Sequence, residues 1–427
     1  MNKNIKDACG LLPIAVFLAV FLSVGFVAGD FYAIDAIVAF LIALIVAFLQ
    51  NRGLSFGQKF KIAANGVGDE NIFTMCLVFL AAGAFSGCVT AAGGVTSTVN
   101  LCLSILPLQF AVPGLFVIGC LISLSMGTSM GTIAALAPIA VGISEKTGFS
   151  MAICIGAVIC GAMFGDNLSM ISDTTIAAVK TQGCEMKDKF KENFLIVLPA
   201  ALITVVIFAV LSADVTEAQI GDLDYNIWKV IPYILVLIGA LTGLNVFVVL
   251  IGGTLISALI GVLTKSIALK EVFVPIGDGV QSMYDITVIS IVVAAIVALV
   301  KENGGIQWIL NLIRKLIKGR RGAEAGIAAL SLLTDACTAN NTVAIVIAGP
   351  IAREISAEYG VSNKRTASLL DIFSSVGQGL IPYGAQLLSA ATLTALTPFD
   401  IIPYMFYPML MALSASLFIV FGKRKLK

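Results

Sequence analysis

The chain has 427 residues, 59% of them hydrophobic and only 12% charged, with a formal net charge of +1. A soluble domain carries about 25% charged residues, so a soluble globular protein is excluded, and no basic run with interleaved aromatics offers nucleic acid a surface. Histidine is absent from the whole sequence, so neutral-pH sensing by imidazole is excluded and any proton carrier must be a carboxylate.

In chain order, apolar runs that reach or approach the ~20 residues needed to cross a bilayer cover Leu11–Gly29, Phe31–Gln50, Ile72–Ala92, Leu106–Ser125, Phe194–Ser212, Trp228–Leu244, Val246–Thr264 and Ile402–Gly422. Lipid leaves the backbone no other partner, so these runs are helices of an all-α polytopic membrane protein. The first run has no clear small-residue cleavage site and a second span follows at once, so it reads as a retained helix. Between Leu106–Ser125 and Phe194–Ser212 lie two polar interruptions. SMGTSMGT at 125–132 contains Thr128 and Ser129, and GDNLS at 165–169 ends the uncharged run MAICIGAVICGAMFG at 151–165. Fifteen helical residues cover only ~22 Å, less than the ~30 Å apolar core, so GDNLS is expected at membrane depth, unwound, with Asp166, Ser169 and freed carbonyls suited to a dehydrated Na⁺. The plainer alternative makes Asp166 and Asp173 helix N-caps at the membrane edge. The second half repeats the pattern with TDACTANNT at 334–342, which holds Asp335, Thr338, Asn340 and Asn341, and with the stretch from Asp371 through Gln378 to Gln386. Segments 129–144 and 341–356 are interrupted by Pro138 and Pro350 and are expected as half-helices or re-entrant hairpins.

An internal repeat ties these pieces together. PIAVGISEKTGFS at 138–150 shares seven of thirteen positions with PIAREISAEYGVS at 350–362, a shift of 212 residues, and GGVTSTVNL at 93–101 matches GGIQWILNL at 304–312 at a shift of 211. Lys and Arg in short loops set orientation. Lys3, Lys6, Arg52, Lys59, Lys61, Lys180, Lys187, Lys189, Lys191, the cluster from Lys301 to Arg321, and Lys423 to Lys427 mark the inside, whereas Asp214, Glu217, Asp222 and Asp224 mark a loop outside; Lys265 and Lys270 fall outside against the rule. Matching segments then face opposite ways. The expected architecture is two inverted-topology repeats, 1–213 and 214–427, with broken helices or re-entrant hairpins at the midplane and both termini cytoplasmic in a multi-pass cell membrane protein. Four polar interruptions in register explain a binding site better than polar glue between helices does.

Other chemistry finds little support. No Walker-type motif is present, and no nucleophile, base and histidine set exists, so an enzyme is not expected. The nine cysteines include no C-x-x-C and read as small core residues. Intramembrane acids are costly and usually functional, which singles out Asp166 and Asp335, with Asp371 and Asp173 less deeply placed. Arg353, Lys364 and Arg365 read as orientation charges.

GDNLSMISDTT resembles the first-half motif of the NhaC-type sodium/proton antiporter family, within the larger ion transporter superfamily, and TDACTANNT followed by AGPIAREIS is similar to its second-half motif. The resemblance covers most of the chain. It implies a cation-coupled secondary transporter, with Asp166, Ser169, Asp173 and Thr174 in the first-half polar roles and Asp335, Asn340 and Asn341 in the second-half ones. Asn167 and Met170 stand where many members carry His or Lys and Pro, which is closer to a branch regarded as amino-acid transporters. Two functions follow. One is Na⁺/H⁺ antiport by alternating access, with Na⁺ held by Asp166, Ser169 and Asp335. The other is Na⁺- or H⁺-coupled transport of an amino acid or small organic acid. The wider set expected to line the site is Thr128, Ser129, Asp166, Asn167, Ser169, Asp173, Thr174, Asp335, Thr338, Asn340, Asn341 and Gln378. A channel fits paired breaks around one site less well. No cofactor is expected beyond Na⁺ and H⁺ as transported or coupling ions; the expected partners are the lipid bilayer and the small substrate, with a homodimer left open.

The opposite orientation of the halves is testable by cysteine labelling. In a cysteine-free background, a cysteine at Gln219 should react from outside and one at Lys318 from inside; reaction of both from one side defeats the inverted repeat.

Overall fold

The computed structural model describes residues 7–28, 36–105, 107–170, 172–213, 223–242 and 244–422. Asp214, Glu217, Asp222 and the terminal charges at Lys3, Lys6 and Lys423 to Lys427 lie outside the described residues. The helices in chain order are α1 (Leu12–Ala28), α2 (Ala36–Leu49), α3 (Phe56–Val67), α4 (Glu70–Ala91), α5 (Gly94–Ile105), α6 (Ala111–Met126), α7 (Ser129–Thr147), α8 (Met151–Leu168), α9 (Asp173–Gln182), α10 (Met186–Leu211), α11 (Ile227–Leu241), α12 (Val246–Leu263), α13 (Phe273–Ser282), α14 (Tyr284–Glu302), α15 (Gly305–Leu316), α16 (Gly319–Thr338), α17 (Asn341–Tyr359), α18 (Asn363–Leu380), α19 (Ala385–Thr394), α20 (Pro398–Ile401) and α21 (Phe406–Phe421). No strand occurs among the described residues. Four helical stretches there are long and apolar enough to cross a bilayer, or up to six if each of two bent pairs is one span.

The helix boundaries recur at the shift found in the sequence. Helices α7, α8 and α9 are matched in length and offset by α17, α18 and α19, each 212 residues later, and α5 is matched by α15 at 211. The stop signals recur too. Gly93 and Gly304 both take positive φ ahead of α5 and α15, and Gly148 and Gly360 do so after α7 and α17, the left-handed cap in which glycine costs least. The two prolines do not act as the sequence suggested. Pro138 and Pro350 sit inside continuous helices of 19 residues, and the chain breaks ahead of them instead, between α6 and α7 and between α16 and α17. A proline removes one helical hydrogen bond, and in a membrane bundle neighbouring groups can make up the loss of one.

The chain forms two compact units, and each draws on both sequence halves. The first comprises residues 1–76, 177–184 and 285–378. In it α2, α3 and α14 meet at Ala47, Ala63, Ala295 and Leu299, and Phe17 of α1 stacks on Phe40 of α2 with centroids 4.0 Å apart. The end of α9 enters this unit, where the Gln182 side-chain amide donates to the Gly349 carbonyl of α17 (2.9 Å).

The second unit comprises residues 77–176, 185–284 and 379–427. Its most intimate pair is α6 against α8. A methyl group at Gly161 would overlap the Phe116 carbonyl, and one at Gly165 would lie 2.5 Å from both the Cys120 oxygen and the Leu124 nitrogen. Small residues let two backbones approach this closely in a membrane, and Ser123 fastens the pair by donating to the Ala162 carbonyl (2.5 Å). Helix α19 packs beside α7 and α8, so α9 and α19 each join a unit built around the other half's hairpin.

The close approach carries a stability prediction. Gly161→Ala should cost on the order of 2 kcal/mol or more, read as a lower Tm in detergent. Gly252→Ala, where a new Cβ meets nothing within 4 Å, should leave Tm level or raise it. Equal effects at the two sites would refute the account of the α6–α8 contact.

Candidate functional site

In the second unit, α6 stops because Gly127 turns left-handed (φ 69°), with its N–H on the Ser123 carbonyl (2.8 Å). Thr128 is extended and caps α7 through its hydroxyl. The two helices therefore meet through two residues, and Ser129 opens α7. Helix α8 runs on through Asp166, Asn167 and Leu168 and stops only at Ser169. The unwound stretch expected at GDNLS is thus shorter than its sequence suggested, beginning where Ser169 turns extended. It is bridged by residues up to Ser172 before α9 starts.

These two breaks converge on Asp166. Ser129 donates to its Oδ2 (2.7 Å) and Ser172 to its Oδ1 (2.5 Å). Hydrogen bonds to a carboxylate are about twice as strong as neutral ones. Ser172 also meets the Thr174 hydroxyl (2.9 Å), and Gln386 of α19 donates to the Ser129 hydroxyl (3.1 Å). Asp166 is half-buried, while Asn167, Ser169, Ser172, Thr174 and Thr175 are buried around it. Below the carboxylate, Lys189 of α10 donates from Nζ to the Asn167 carbonyl (3.0 Å) and the Thr175 hydroxyl (2.9 Å). Asn193, one turn further along α10, donates to the Asn167 carbonyl and side-chain oxygen (3.1 Å each).

The first unit carries the counterpart at the end of α16. Ala339 takes the left-handed position that Gly127 fills in the other half (φ 49°), its N–H on the Asp335 carbonyl. For a residue with a Cβ this costs roughly 1–2 kcal/mol. Asn340 caps α17 by accepting from the Val343 N–H (3.0 Å), as Thr128 caps α7. Thr338 donates to the Asn340 carbonyl (3.1 Å), and Asn341 accepts from the N–H of Thr342 (3.0 Å). Gln378 of α18 donates to the Ala339 carbonyl (3.3 Å), so here too a break is met by the end of the following long helix. Asp335 and Asp371 are both fully buried. Asp335 lies against Gly377, where a Cβ would be 2.5 Å from its Oδ2.

Of the residues singled out from sequence, Ser129, Asp166 and Thr174 belong to one hydrogen-bonded cluster with Asn167 beside it. Thr338, Asn340 and Gln378 belong to another, with Asp335 under the same turn. Ser169 is buried at the end of α8, Thr128 spends its hydroxyl on the cap, and Asp173 is exposed in the first turn of α9. Lys189 was read as a loop charge and is instead 1% exposed. Its spacing of four from Asn193, on one helix face ahead of an apolar run, is the signal that could have found it. Arg365 is likewise buried, paired with Glu324 (3.3 Å).

A model of the Na⁺/H⁺ antiporter family matches residues 5–213 and 223–423. The chain belongs to that family. Among curated relatives it is 24% identical to a malate-2H⁺/Na⁺-lactate antiporter of Bacillus subtilis, over 96% of this chain and 94% of that protein. It is 23% identical to the Na⁺/H⁺ antiporter NhaC of Alkalihalophilus pseudofirmus, over 99% and 96%, and 23% identical to the arginine/ornithine antiporter ArcD of Halobacterium salinarum, over 70% of each. It is thus a member of a family of antiporters, expected to sit in a lipid bilayer.

The repeated backbone carries unequal charges: Asp166 falls opposite Gln378, and Asp335 opposite Ser123. Gln378→Ala should therefore disturb Na⁺-dependent thermal stabilisation far less than Asp166→Ala, since a bound ion raises stability as RT ln(1 + [L]/Kd). Equal losses at both would indicate two similar ion sites.

Proposed function

We propose that this chain is an ion-coupled secondary transporter that exchanges Na⁺ for H⁺ across the cell membrane by alternating access, through two oppositely oriented repeats, 1–213 and 214–427, with both termini cytoplasmic. The observation that carries the reading is Asp166 itself, a carboxylate in the last turn of an otherwise uncharged helix, held by hydroxyls from two separate helix breaks. A hydroxyl is both donor and acceptor. With no cation bound, Ser129 and Ser172 donate to the carboxylate. When Na⁺ arrives, the same hydroxyls can rotate and present lone pairs beside a carboxylate oxygen, giving a hard cation the oxygens it needs. A proton on Asp166 would replace the ion's charge in the opposite half-cycle. Ser169 is the further first-half ligand in this reading, and Asp335 is the second charge, as a ligand or as a proton carrier.

A second reading, exchange or coupled uptake of an amino acid or small organic acid, is supported by the activities of two relatives, malate/lactate and arginine/ornithine exchange. It also draws on a cavity of about 610 Å³ in the second unit, lined by Ser86, Thr90, Asn100, Glu145 and Lys146 and reaching Pro138 of α7. That is more room than a bare ion needs.

Proteoliposomes separate the two. A pH-dye response to Na⁺ pulses without added organic substrate supports Na⁺/H⁺ exchange; Na⁺- or H⁺-dependent uptake of labelled amino acids or dicarboxylates without that response supports the alternative. In either assay Asp166→Asn should reduce transport about tenfold or more, because a lost intramembrane charge has no replacement, while gel-filtration behaviour is retained. Unchanged transport and unchanged apparent Na⁺ affinity would reduce Asp166 to a helix cap.

A further inference from the structure

Lysine is rarely buried in full, and Lys189 is 1% exposed. Its ammonium lies on the Asn167 carbonyl and the Thr175 hydroxyl, one on each side of the break between α8 and α9. The carbonyl belongs to the last turn of α8, where the helix dipole is negative. Oxygens of this kind, a helix-end carbonyl one residue after Asp166 and a hydroxyl in the first turn of α9, are what a dehydrated Na⁺ would seek. At the matching position 212 residues on, the chain carries Ile401.

We propose that Lys189 is a resident cation of the first break, a positioning and specificity-determining residue that holds the two helix ends in register and sets a ceiling on how tightly Na⁺ binds at Asp166. The ceiling has two sources. The ammonium repels a second cation at close range, and it occupies an oxygen the ion would otherwise take. A transported ion has to leave as well as enter, and a fixed charge of the same sign makes release easier on every cycle. Asn193 shares the Asn167 carbonyl and keeps that end of α8 aimed at α10. The assignment rests on the reading of Asp166 as the Na⁺ ligand.

The test is Na⁺-dependent thermal unfolding of the purified full-length protein, titrated with NaCl against choline chloride at constant ionic strength. Lys189→Gln removes the charge and keeps a donor for the same carbonyl. Its half-saturating Na⁺ concentration should fall at least about fivefold relative to wild type, the size expected for a unit charge taken from beside a bound cation in a partly polar interior. Lys189→Arg should stay within about twofold. If Lys189→Gln does not fold, Lys189→Met, which keeps the apolar stem, is held to the same expectation. A lower Tm with an unmoved half-saturation, restored by Arg, makes Lys189 a purely structural residue and overturns the proposal. A wild-type protein whose Tm ignores Na⁺ removes the Na⁺ reading of Asp166 and Lys189's role with it. A responsive wild type with an unaltered Lys189→Gln removes the role of Lys189 alone.

Discussion

A carboxylate at the end of an otherwise uncharged helix needs hydrogen-bond donors around it, and Ser129 and Ser172 donate to Asp166. The rest of the second unit can be understood as the means of bringing them there. Ser129 is the first residue of α7 because Gly127 turns the chain left-handed and Thr128 caps the new helix. Ser172 is available because α8 stops at Leu168 instead of running into α9. Both arrangements depend on α6 lying close enough to α8 for its tip to reach Asp166, and Gly161 and Gly165 permit that distance. A carboxylate held by rotatable hydroxyls is also one whose surroundings can accept a cation without rebuilding the backbone.

The same backbone is used twice with different side chains. Where the second unit has glycine at the left-handed position, the first has Ala339 and stores some strain there. Where one has Ser123 against Gly165, the other has Asp335 against Gly377. One break has a carboxylate and, on the next residue's carbonyl, a buried lysine; the other has the buried Asp335 in the last turn of α16, with Asp371 buried two turns before Gln378 in α18.

Much of this was legible in the sequence. Small polar clusters between uncharged runs pointed to breaks, and the shift of 212 residues located their mates to the residue, with Thr128 and Asn340 capping α7 and α17 at matching positions. What was misread depended on tertiary context. Pro138 and Pro350 looked like interruptions, but a proline bends or ends a helix only when its neighbours offer nothing in return. Lys189 looked like a loop charge, since counting charges near span ends says nothing of which face they occupy. The assignment of the end of α9 to one unit and of its start and α8 to the other could not be read at all, because nothing local records which of two similar hairpins a short helix will join.

That exchange of short helices has a consequence for how the protein is made. Gln182 leaves the ribosome 167 residues before its partner Gly349, and Ser129 precedes Gln386 by 257. At roughly 5–20 residues per second, the first half waits on the order of ten seconds or more in the bilayer with its hairpin lacking α19 and its α9 lacking α17. These contacts can close only once the later stretch has been made, so a chain ending at residue 213 would lack the partners of both Gln182 and Ser129.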